Sequence, residues 1–215
     1  MKNIGILVSG GGTNLQAIFD ALDAGKITGG RIALVLSSSP QAFALTRAKN
    51  RGVPVAVVDS ALYKREGGDF DREAFSAEIA RHFEQAQIGI VVLAGFNFVL
   101  AADFVRRYEN RIINVHPSLI PSFCGKGFYG LNTHRAVLAS GVKLTGATVH
   151  FVTAEPDAGP IIAQKAVPVR YGDTPETLQR RVMEEAEWVI LPEVIDHLCN
   201  DRIFFDGGIA YVREK

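Results

Sequence analysis

Two polar side chains near the middle of the chain have the types and spacing needed for acyl chemistry. Residues 112–121 begin with an apolar run, carry Asn114 and His116, and continue with Pro117. The run predicts a buried strand, on which residues two apart point to the same side. Pro117 cannot donate to a strand ladder and so ends the strand. An amide beside an imidazole suits a carbonyl whose oxygen becomes negative while a proton moves, although either residue alone would suggest a capped turn.

A glycine-rich segment near the N-terminus predicts an anion site. Residues 9–14 follow an apolar strand and precede helical spacing of apolar residues, so backbone N–H groups and the positive end of a helix dipole should meet there. A dinucleotide motif fails, because Gly10 and Gly12 are followed by Leu15 at the third glycine position and no acid follows the next strand. No nucleoside triphosphate loop is present either. A small phosphate monoester is the expected ligand, and a simple tight turn is the alternative.

The elements that must position these residues alternate between strands and helices. This order predicts an α/β fold with a doubly wound, mostly parallel sheet and right-handed crossovers. Ligands in such sheets bind at the carboxyl ends of strands, so residues 9–14, 94–100 and 114–121 are expected to line one cleft. The predicted strands are residues 3–9, 31–36, 53–58, 88–93 and 112–116, and the predicted helices include residues 41–51 and 69–85.

The second half of the chain predicts an antiparallel edge and a long C-terminal helix. Residues 144–153 and 161–169 read as a long hairpin that follows the parallel strands. Residues 174–201 read as one helix with an N-cap and an early proline, which Pro192 should bend or interrupt. Residues 203–212 predict a short terminal hairpin.

Several further side chains have two interpretations. Asp157 lies in a turn-rich loop, where it could reach His116, but its residue type slightly favours a carboxylate that supports its own turn. His150 is expected to be a strand residue with a structural hydrogen bond. Cys124, in a predicted flexible loop at residues 121–130, has no adjacent base, and we do not predict it to be a nucleophile. Three histidines are expected at surface or helix positions: His82, His134 and His197.

The composition excludes several classes of protein. Apolar residues make up 47% of the 215 and charged residues 21%, which is ordinary for a globular protein. The formal net charge is zero, so no nucleic-acid partner is expected. Two cysteines, no signal-peptide pattern and no membrane-length apolar run predict a cytoplasmic protein without a membrane partner. No metal-ligand spacing is present, and we expect no metal.

Five short motifs are spread in order over the whole chain. They are Ser9-Gly10-Gly11-Gly12-Thr13-Asn14-Leu15, Leu93-Ala94-Gly95-Phe96, Asn114 to Pro121, Thr145 to His150 and Asp157-Ala158-Gly159-Pro160. Together they resemble the phosphoribosylglycinamide formyltransferases, folate-dependent enzymes of purine synthesis. The resemblance implies a Rossmann-like formyltransferase fold in one domain, residues 1–215. Residues 1–100 would form its phosphate-binding half, and residues 101–215 its catalytic and folate-binding half.

The same resemblance implies a reaction and a catalytic trio. The substrate amine of N1-(5-phospho-D-ribosyl)glycinamide would attack the formyl carbon of 10-formyltetrahydrofolate, a cosubstrate, in de novo purine (IMP) biosynthesis. Asn114 and protonated His116 would stabilise the oxygen of the tetrahedral intermediate, and His116 would pass a proton toward the departing folate nitrogen. Asp157 would hold His116 and raise its pKa, which replaces the turn role favoured above. The expected partners are small molecules, and the chain is expected to be a monomer or a weak homodimer.

Binding residues are also implied by the resemblance. Gly12, Thr13 and Asn14 match the loop that binds the ribose phosphate, and Glu187 matches an acid that contacts the glycinamide substrate, although Trp188 stands where a histidine is common. The family's pterin site implies folate contacts, largely through backbone groups, from Asn97, Phe98, Val99, Leu100 and Asn114. The family often has an arginine where Phe98 stands. Arg72 matches a folate-contacting arginine, with Lys64 and Arg65 as rivals.

Three other functions compete with this one. A formyl-tRNA-making transferase usually carries a further C-terminal domain, and a formyltetrahydrofolate deformylase an N-terminal regulatory one; 215 residues leave room for neither. A non-enzymatic nucleotide- or folate-binding protein would not need Asn114, His116 and Asp157 together.

Overall fold

A computed structural model describes residues 1–213 of the chain. Its centre is a seven-stranded sheet with the order β3-β2-β1-β4-β5-β6-β7, in which β1 to β5 run parallel and β6 and β7 are antiparallel. A separate hairpin, β8-β9, follows near the C-terminus. The strands are β1 Lys2–Val8, β2 Gly30–Ser37, β3 Val55–Val57, β4 Ile90–Leu93, β5 Ile112–His116, β6 Leu144–Phe151, β7 Ile161–Pro168, β8 Ile203–Asp206 and β9 Ile209–Val212.

Helices cover both faces of this sheet, so the predicted α/β, doubly wound, mostly parallel fold with an antiparallel edge is confirmed. The α-helices are α1 Thr13–Asp23, α2 Phe43–Asn50, α3 Arg72–Gln85, α4 Ala102–Arg107, α5 Leu131–Ser140, α6 Pro175–Val182 and α7 Trp188–Cys199, with a short 3-10 helix at Ser60–Tyr63. The seven-stranded sheet takes strands from both predicted halves of the chain, and the functional division at residue 100 stays a prediction.

Alternation along β1 explains the two-layered core. Ile4, Ile6 and Val8 face α1, α2 and α7, whereas Leu7 faces α3 and α4. Successive side chains on a strand point to opposite faces, so an apolar strand in the middle of the sheet supplies both layers. The carboxyl ends of β1, β4 and β5 lie side by side, because these strands are neighbours and parallel.

The C-terminal helical segment differs from its prediction in one respect. It begins at Thr174, whose hydroxyl accepts a hydrogen bond from the N–H of Thr177 in a capping box, as the sequence indicates. The chain stays helical through Pro192, and the irregularity falls earlier, in a π-helical turn at Met183–Glu187. The widened turn admits one extra residue, and such turns are frequent at functional sites. Within residues 1–213, no helix is long and apolar enough to cross a membrane.

Candidate active site

Strand β5 delivers Asn114 and His116 to one side of the sheet at its carboxyl end. In the antiparallel register with β6, Asn114 lies opposite His150, and His116 lies opposite Thr148. His116 is buried and Asn114 is half-buried. The side-chain Nδ2 of Asn114 is 3.2 Å from Nε2 of His150. The imidazole that contacts the amide of Asn114 is thus that of His150, while Asn114 and His116 lie two residues apart at the end of β5.

Asp157 reaches both histidines from the loop between β6 and β7. Its Oδ2 is 3.4 Å from Nδ1 of His116, and its Oδ1 is 3.5 Å from Nε2 of His150. The backbone N–H of Gly125 donates to the same Oδ2 at 2.8 Å. Burial acts to raise the pKa of Asp157, but its contacts with His150, His116 and Gly125 outweigh this and lower it below its ordinary value. The carboxylate is thus ionised and faces the imidazole, rather than serving only its own turn.

Both ring nitrogens of His116 face acceptors. Its Nε2 lies 2.9 Å from the carbonyl oxygen of Phe123, and Nδ1 faces Asp157. Burial nevertheless lowers the pKa of His116; Asp157 and the Phe123 carbonyl act in the opposite direction without offsetting it, and His150 adds to the lowering. Asp157 acts to raise the pKa of His116, as predicted, but the effect of desolvation is larger, so the net shift is downward. The ring is mostly neutral at pH 7 and can accept a proton.

His150 is the contact that sequence reasoning underestimated. Its Nδ1 lies 2.8 Å from the carbonyl oxygen of Phe151, which can only accept, so this nitrogen carries a proton. Its Nε2 faces both Nδ2 of Asn114 and Oδ1 of Asp157, and the amide nitrogen of Asn114 has a second N–H that can donate elsewhere. The expected structural hydrogen bond is present, but the ring also joins Asn114 to Asp157. Only the β5–β6 register reveals this, and register is not readable from either strand alone.

Another histidine occupies an unexpected environment. His134 lies on α5, as the helix assignment allows, but it is fully buried rather than at the surface. Burial, with a smaller effect of His116, lowers the pKa of His134 to about 4. It is therefore neutral at pH 7, and its packing beneath the site explains why a surface interpretation fails.

The glycine-rich loop leads directly into α1. Gly12 precedes the helix with φ of +71°, and a Cβ built on it would lie 2.7 Å from the Cβ of Ala44. Both observations require glycine at this position. The N–H groups of the first helical turn, which begins at Thr13, have no acceptor within the helix, so they are available to an anion. Arg47 steadies the loop through a hydrogen bond from its Nε to the Gly11 carbonyl oxygen at 2.9 Å.

The π-helical turn brings two side chains to the start of α1. Nδ2 of Asn14 donates to Oε2 of Glu187 at 2.7 Å, and both side chains are buried. Thr13 contacts the sulfur of Met183 at 3.8 Å. Burial raises the pKa of Glu187 to about 7, with Asn14 acting in the opposite direction. The three residues predicted from different parts of the sequence, Thr13, Asn14 and Glu187, are therefore adjacent.

Glu187→Gln is expected to stabilise the protein at alkaline pH. The folded pKa of about 7 exceeds the ordinary 4.5, so the folded state binds the proton more tightly. That stabilisation is complete below about pH 4.5 and is lost as pH rises through 7. We expect the variant to exceed the wild type by about 3 kcal/mol in unfolding free energy at pH 8, and to match it near pH 4. Urea titrations at both pH values measure this. Glu185→Gln, an exposed neighbour, should show no such dependence, and equal behaviour of the two variants would contradict the account.

The predicted folate segment lies next to the glycine-rich loop. The backbone N–H of Asn97 donates to Oγ of Ser9 at 3.1 Å. The ring of Phe98 stacks on Phe70, with ring centres 5.1 Å apart, and so packs within an aromatic cluster. Val99 is 41% exposed, whereas the side chain of Leu100 is buried in the core.

Basic residues near the start of α3 were the other folate candidates. Arg72 is exposed at the first position of α3, two residues after Phe70, and is therefore near this segment. Arg65 pairs with Asp71 at 2.7 Å, and Lys64 lies in a short bridge to Phe70. Arg72 is thus better placed than Arg65, whose guanidinium is engaged. Contact of these residues with folate stays a prediction.

The described part of the chain holds no group of three or more His, Cys, Asp and Glu side chains arranged to bind a metal ion. What it does hold is an amide, an imidazole and a carboxylate beside a helix N-terminus suited to phosphate. That arrangement, on a doubly wound sheet with an antiparallel edge, is a candidate site for acyl transfer involving a phosphorylated molecule.

A match to the formyl transferase family covers residues 2–195, and the chain belongs to that family. It is 38% identical over 210 residues to the phosphoribosylglycinamide formyltransferase of Escherichia coli, covering 98% of this chain and 93% of that protein. It is also 36% identical over 215 residues, its whole length, to the chloroplastic phosphoribosylglycinamide formyltransferase of Vigna unguiculata, of which it spans 66%. The trifunctional purine biosynthetic protein adenosine-3 of Bos taurus is 39% identical over 98% of this chain, which spans 20% of that protein.

Solved structures give the same family. A crystal structure of glycinamide ribonucleotide transformylase 1 from Symbiobacterium toebii superposes with a TM-score of 0.89 at 42% identity, covering 100% of this chain and 95% of that one. A formyltetrahydrofolate deformylase from Pseudomonas syringae superposes with a TM-score of 0.85 at 26% identity, but this chain covers 66% of it. The fold is therefore also found in a protein titled a formyltetrahydrofolate deformylase.

Proposed function

We propose that this chain transfers the formyl group of 10-formyltetrahydrofolate to the amine of N1-(5-phospho-D-ribosyl)glycinamide in de novo purine (IMP) biosynthesis. The observation that carries the proposal is the chain of contacts at the carboxyl end of β5 in which Asp157 faces His116 and, through His150, is linked to Asn114. The relatives that this chain spans almost completely bear the name of this activity. The proposal extends to a cytoplasmic location and to a monomer or weak homodimer, which the sequence led us to expect.

The first step forms a carbon–nitrogen bond. The substrate amine attacks the formyl carbon, and the carbonyl oxygen becomes an oxyanion. The free N–H of Asn114 donates to this oxygen, which concentrates hydrogen bonding where charge develops. Neutral His116, favoured by its lowered pKa, takes a proton from the attacking nitrogen. The substrate replaces the Phe123 carbonyl as the partner of Nε2.

The second step breaks the bond between the formyl carbon and the folate nitrogen. His116 is now an imidazolium, which Asp157 stabilises from the Nδ1 side. It returns its proton to the departing nitrogen, so tetrahydrofolate leaves neutral and the N-formyl product keeps its carbonyl. Neither substrate requires a further oxidant, reductant or metal for these two steps. The carboxylate matters most here, because the imidazolium is the charged form that burial disfavours.

The ribonucleotide would be held by the loop and the π-helical turn. The N–H groups at Gly12, Thr13 and Asn14 would bind its phosphate, since a helix N-terminus favours an anion. Glu187, fixed by Asn14, would accept hydrogen bonds from polar groups of the same substrate. The folate would lie along residues 97–100, with Arg72 near its acidic end.

Dependence on the amine acceptor tests the proposal. Purified protein is mixed with 10-formyltetrahydrofolate, and release of tetrahydrofolate is followed with and without the ribonucleotide. We expect release only when the ribonucleotide is present. Equal release in its absence would instead support the deformylase reaction, the second candidate, which the superposition with the Pseudomonas syringae enzyme keeps open.

Bulky side chains in the glycine-rich loop are expected to weaken binding of the ribonucleotide much more than binding of folate. Thr13→Leu would place a larger group where the phosphate meets the first turn of α1, and so would disturb its hydrogen bonds. Because a single hydrogen bond to a charged group is worth about 1.5–3 kcal/mol, ribonucleotide binding should weaken by about 10-fold or more. Binding of a folate analogue should change by less than about twofold. Calorimetric titration of each ligand measures this, with Thr46→Leu, exposed on α2, as the matched control. Equal losses for both ligands would place the phosphate elsewhere.

A further inference from the structure

A second cavity lies between α1 and α7, outside the proposed catalytic cleft. Its volume is about 380 Å³, within the range of small-molecule sites. Thr13 lines it, whereas Gly12, Asn14 and Glu187 do not. The cavity is therefore contiguous with the ribonucleotide loop but extends along the other side of α1. The mechanism proposed above makes no use of it.

The walls of this cavity suit a flat, aromatic molecule. Ala17 and Ala21 on α1 face Pro192 and the indole of Trp188 on α7. The small alanine side chains leave the cavity open, and the indole offers a planar surface on which a ligand ring can stack. Nε1 of Trp188 is buried and has no hydrogen-bond partner within residues 1–213. Since this N–H is shielded from the cavity, Trp188 can recognise a ligand only through the face of its ring.

The charges around the cavity favour an anion with hydrogen-bond donors. The ammonium group of Lys26 has no ion pair or hydrogen bond to any other described residue, and Arg47 uses Nε and Nη1 but keeps further N–H groups. Asp20 is already paired, because Gln16 and Arg51 contact its carboxylate at 2.8 and 3.6 Å. The net attraction at that end is therefore for negative charge.

Glu193, in contrast, favours a ligand group that donates hydrogen bonds. Its carboxylate lines the cavity, and the described chain offers it no ion pair or hydrogen bond. A ligand with amino or hydroxyl groups at one end and an anionic group at the other would satisfy Glu193, Lys26 and Trp188 together.

We infer that the cavity between α1 and α7 is a second binding site, and that its ligand is a purine nucleoside monophosphate. The base stacks on the ring of Trp188, the phosphate lies against Lys26 and Arg47, and hydroxyl or amino groups donate to Glu193. Formyl transfer is not required for this binding, so the inference stands apart from the proposed function.

Trp188 is the only tryptophan in the 215 residues and lines this cavity, so its fluorescence can report on binding there. The full-length protein is titrated with adenosine 5′-monophosphate while indole emission is followed. We expect saturable quenching by the nucleotide. Adenosine lacks the phosphate and ribose 5-phosphate lacks the base, so each should bind at least about 10-fold more weakly.

Two variants locate the site. Lys26→Ala should weaken binding of adenosine 5′-monophosphate about 10-fold by removing a charged partner, and Ala17→Leu should abolish it by filling the cavity. Lys49→Ala, an exposed lysine on α2, should leave the affinity unchanged. Absence of saturable quenching would overturn the inference. Equal affinities in all three variants would overturn it as well. Loss of the quenching by adenosine 5′-monophosphate when saturating ribonucleotide is added would also overturn it, because such competition would place the nucleotide on the glycine-rich loop.

Discussion

His116→Ala is expected to lower kcat/KM for formyl transfer by about 10²–10⁴-fold, the usual contribution of a positioned general acid and base. The physical reason is that one imidazole both accepts the proton of the attacking amine and returns it to the folate nitrogen. Alanine keeps the buried end of β5 apolar, so the fold should persist. The measurement is a steady-state assay with each substrate varied in turn.

The loss in His116→Ala should appear in kcat and leave substrate binding nearly intact, because the ring acts in the transition state. His82→Ala is the matched control, since His82 lies on α3 and contacts Glu78 rather than the site. An unchanged kcat in His116→Ala would remove the residue from the mechanism, whatever the fold.

Asp157→Asn is expected to lower kcat by about 10²–10⁴-fold as well, because it disables the same proton transfer. The asparagine has the shape of the aspartate but carries no charge, so the buried imidazolium loses the group that offsets its desolvation. Glu155→Gln, an exposed carboxylate in the same loop, should leave kcat unchanged.

The pair should also be strongly non-additive. When two residues act as one unit, changing either of them removes most of their joint contribution to kcat. The double variant His116→Ala with Asp157→Asn should therefore be no more than about threefold slower than the slower single variant. Multiplication of the two single losses would show that Asp157 acts independently of His116. The comparison uses kcat from the same assay, with folding of each variant checked by its unfolding transition.

Much of the site could be predicted because its parts are local in sequence. The end of β5 is marked by an apolar run, two polar residues and Pro117, and the start of α1 by glycines before helical spacing. Each signal lies within about ten residues and reflects strand or helix chemistry directly. The parallel order then brings these ends together without further information, because parallel neighbours share their carboxyl edge.

Contacts that depend on pairing between distant segments could not be predicted in the same way. The approach of Asp157 to His150 requires the register of β5 with β6 and the path of the loop after β6. Resemblance to a family suggested a role for Asp157, whereas the residue pattern alone slightly favoured a turn. His134 shows the same limit, since helical spacing does not tell which face of α5 packs beneath the site.

Properties set by burial were the least predictable. The pKa of His116 falls because the ring is desolvated, and no neighbour in sequence indicates how deeply it lies. The π-helical turn at Met183–Glu187 is likewise invisible in a pattern that reads as one helix to residue 201, with Pro192 as its expected break. That turn sets the position of Glu187 against Asn14, and so affects the ribonucleotide site directly.

The central claim is that one formyl carbon passes from folate to the ribonucleotide amine without release to water. It is tested most directly with 10-formyltetrahydrofolate labelled with ¹³C in the formyl group and a ribonucleotide labelled with ¹⁵N in the amine, followed by NMR. We expect a one-bond ¹³C–¹⁵N coupling that grows in step with tetrahydrofolate. Appearance of the label as free formate, with no coupling, would contradict it.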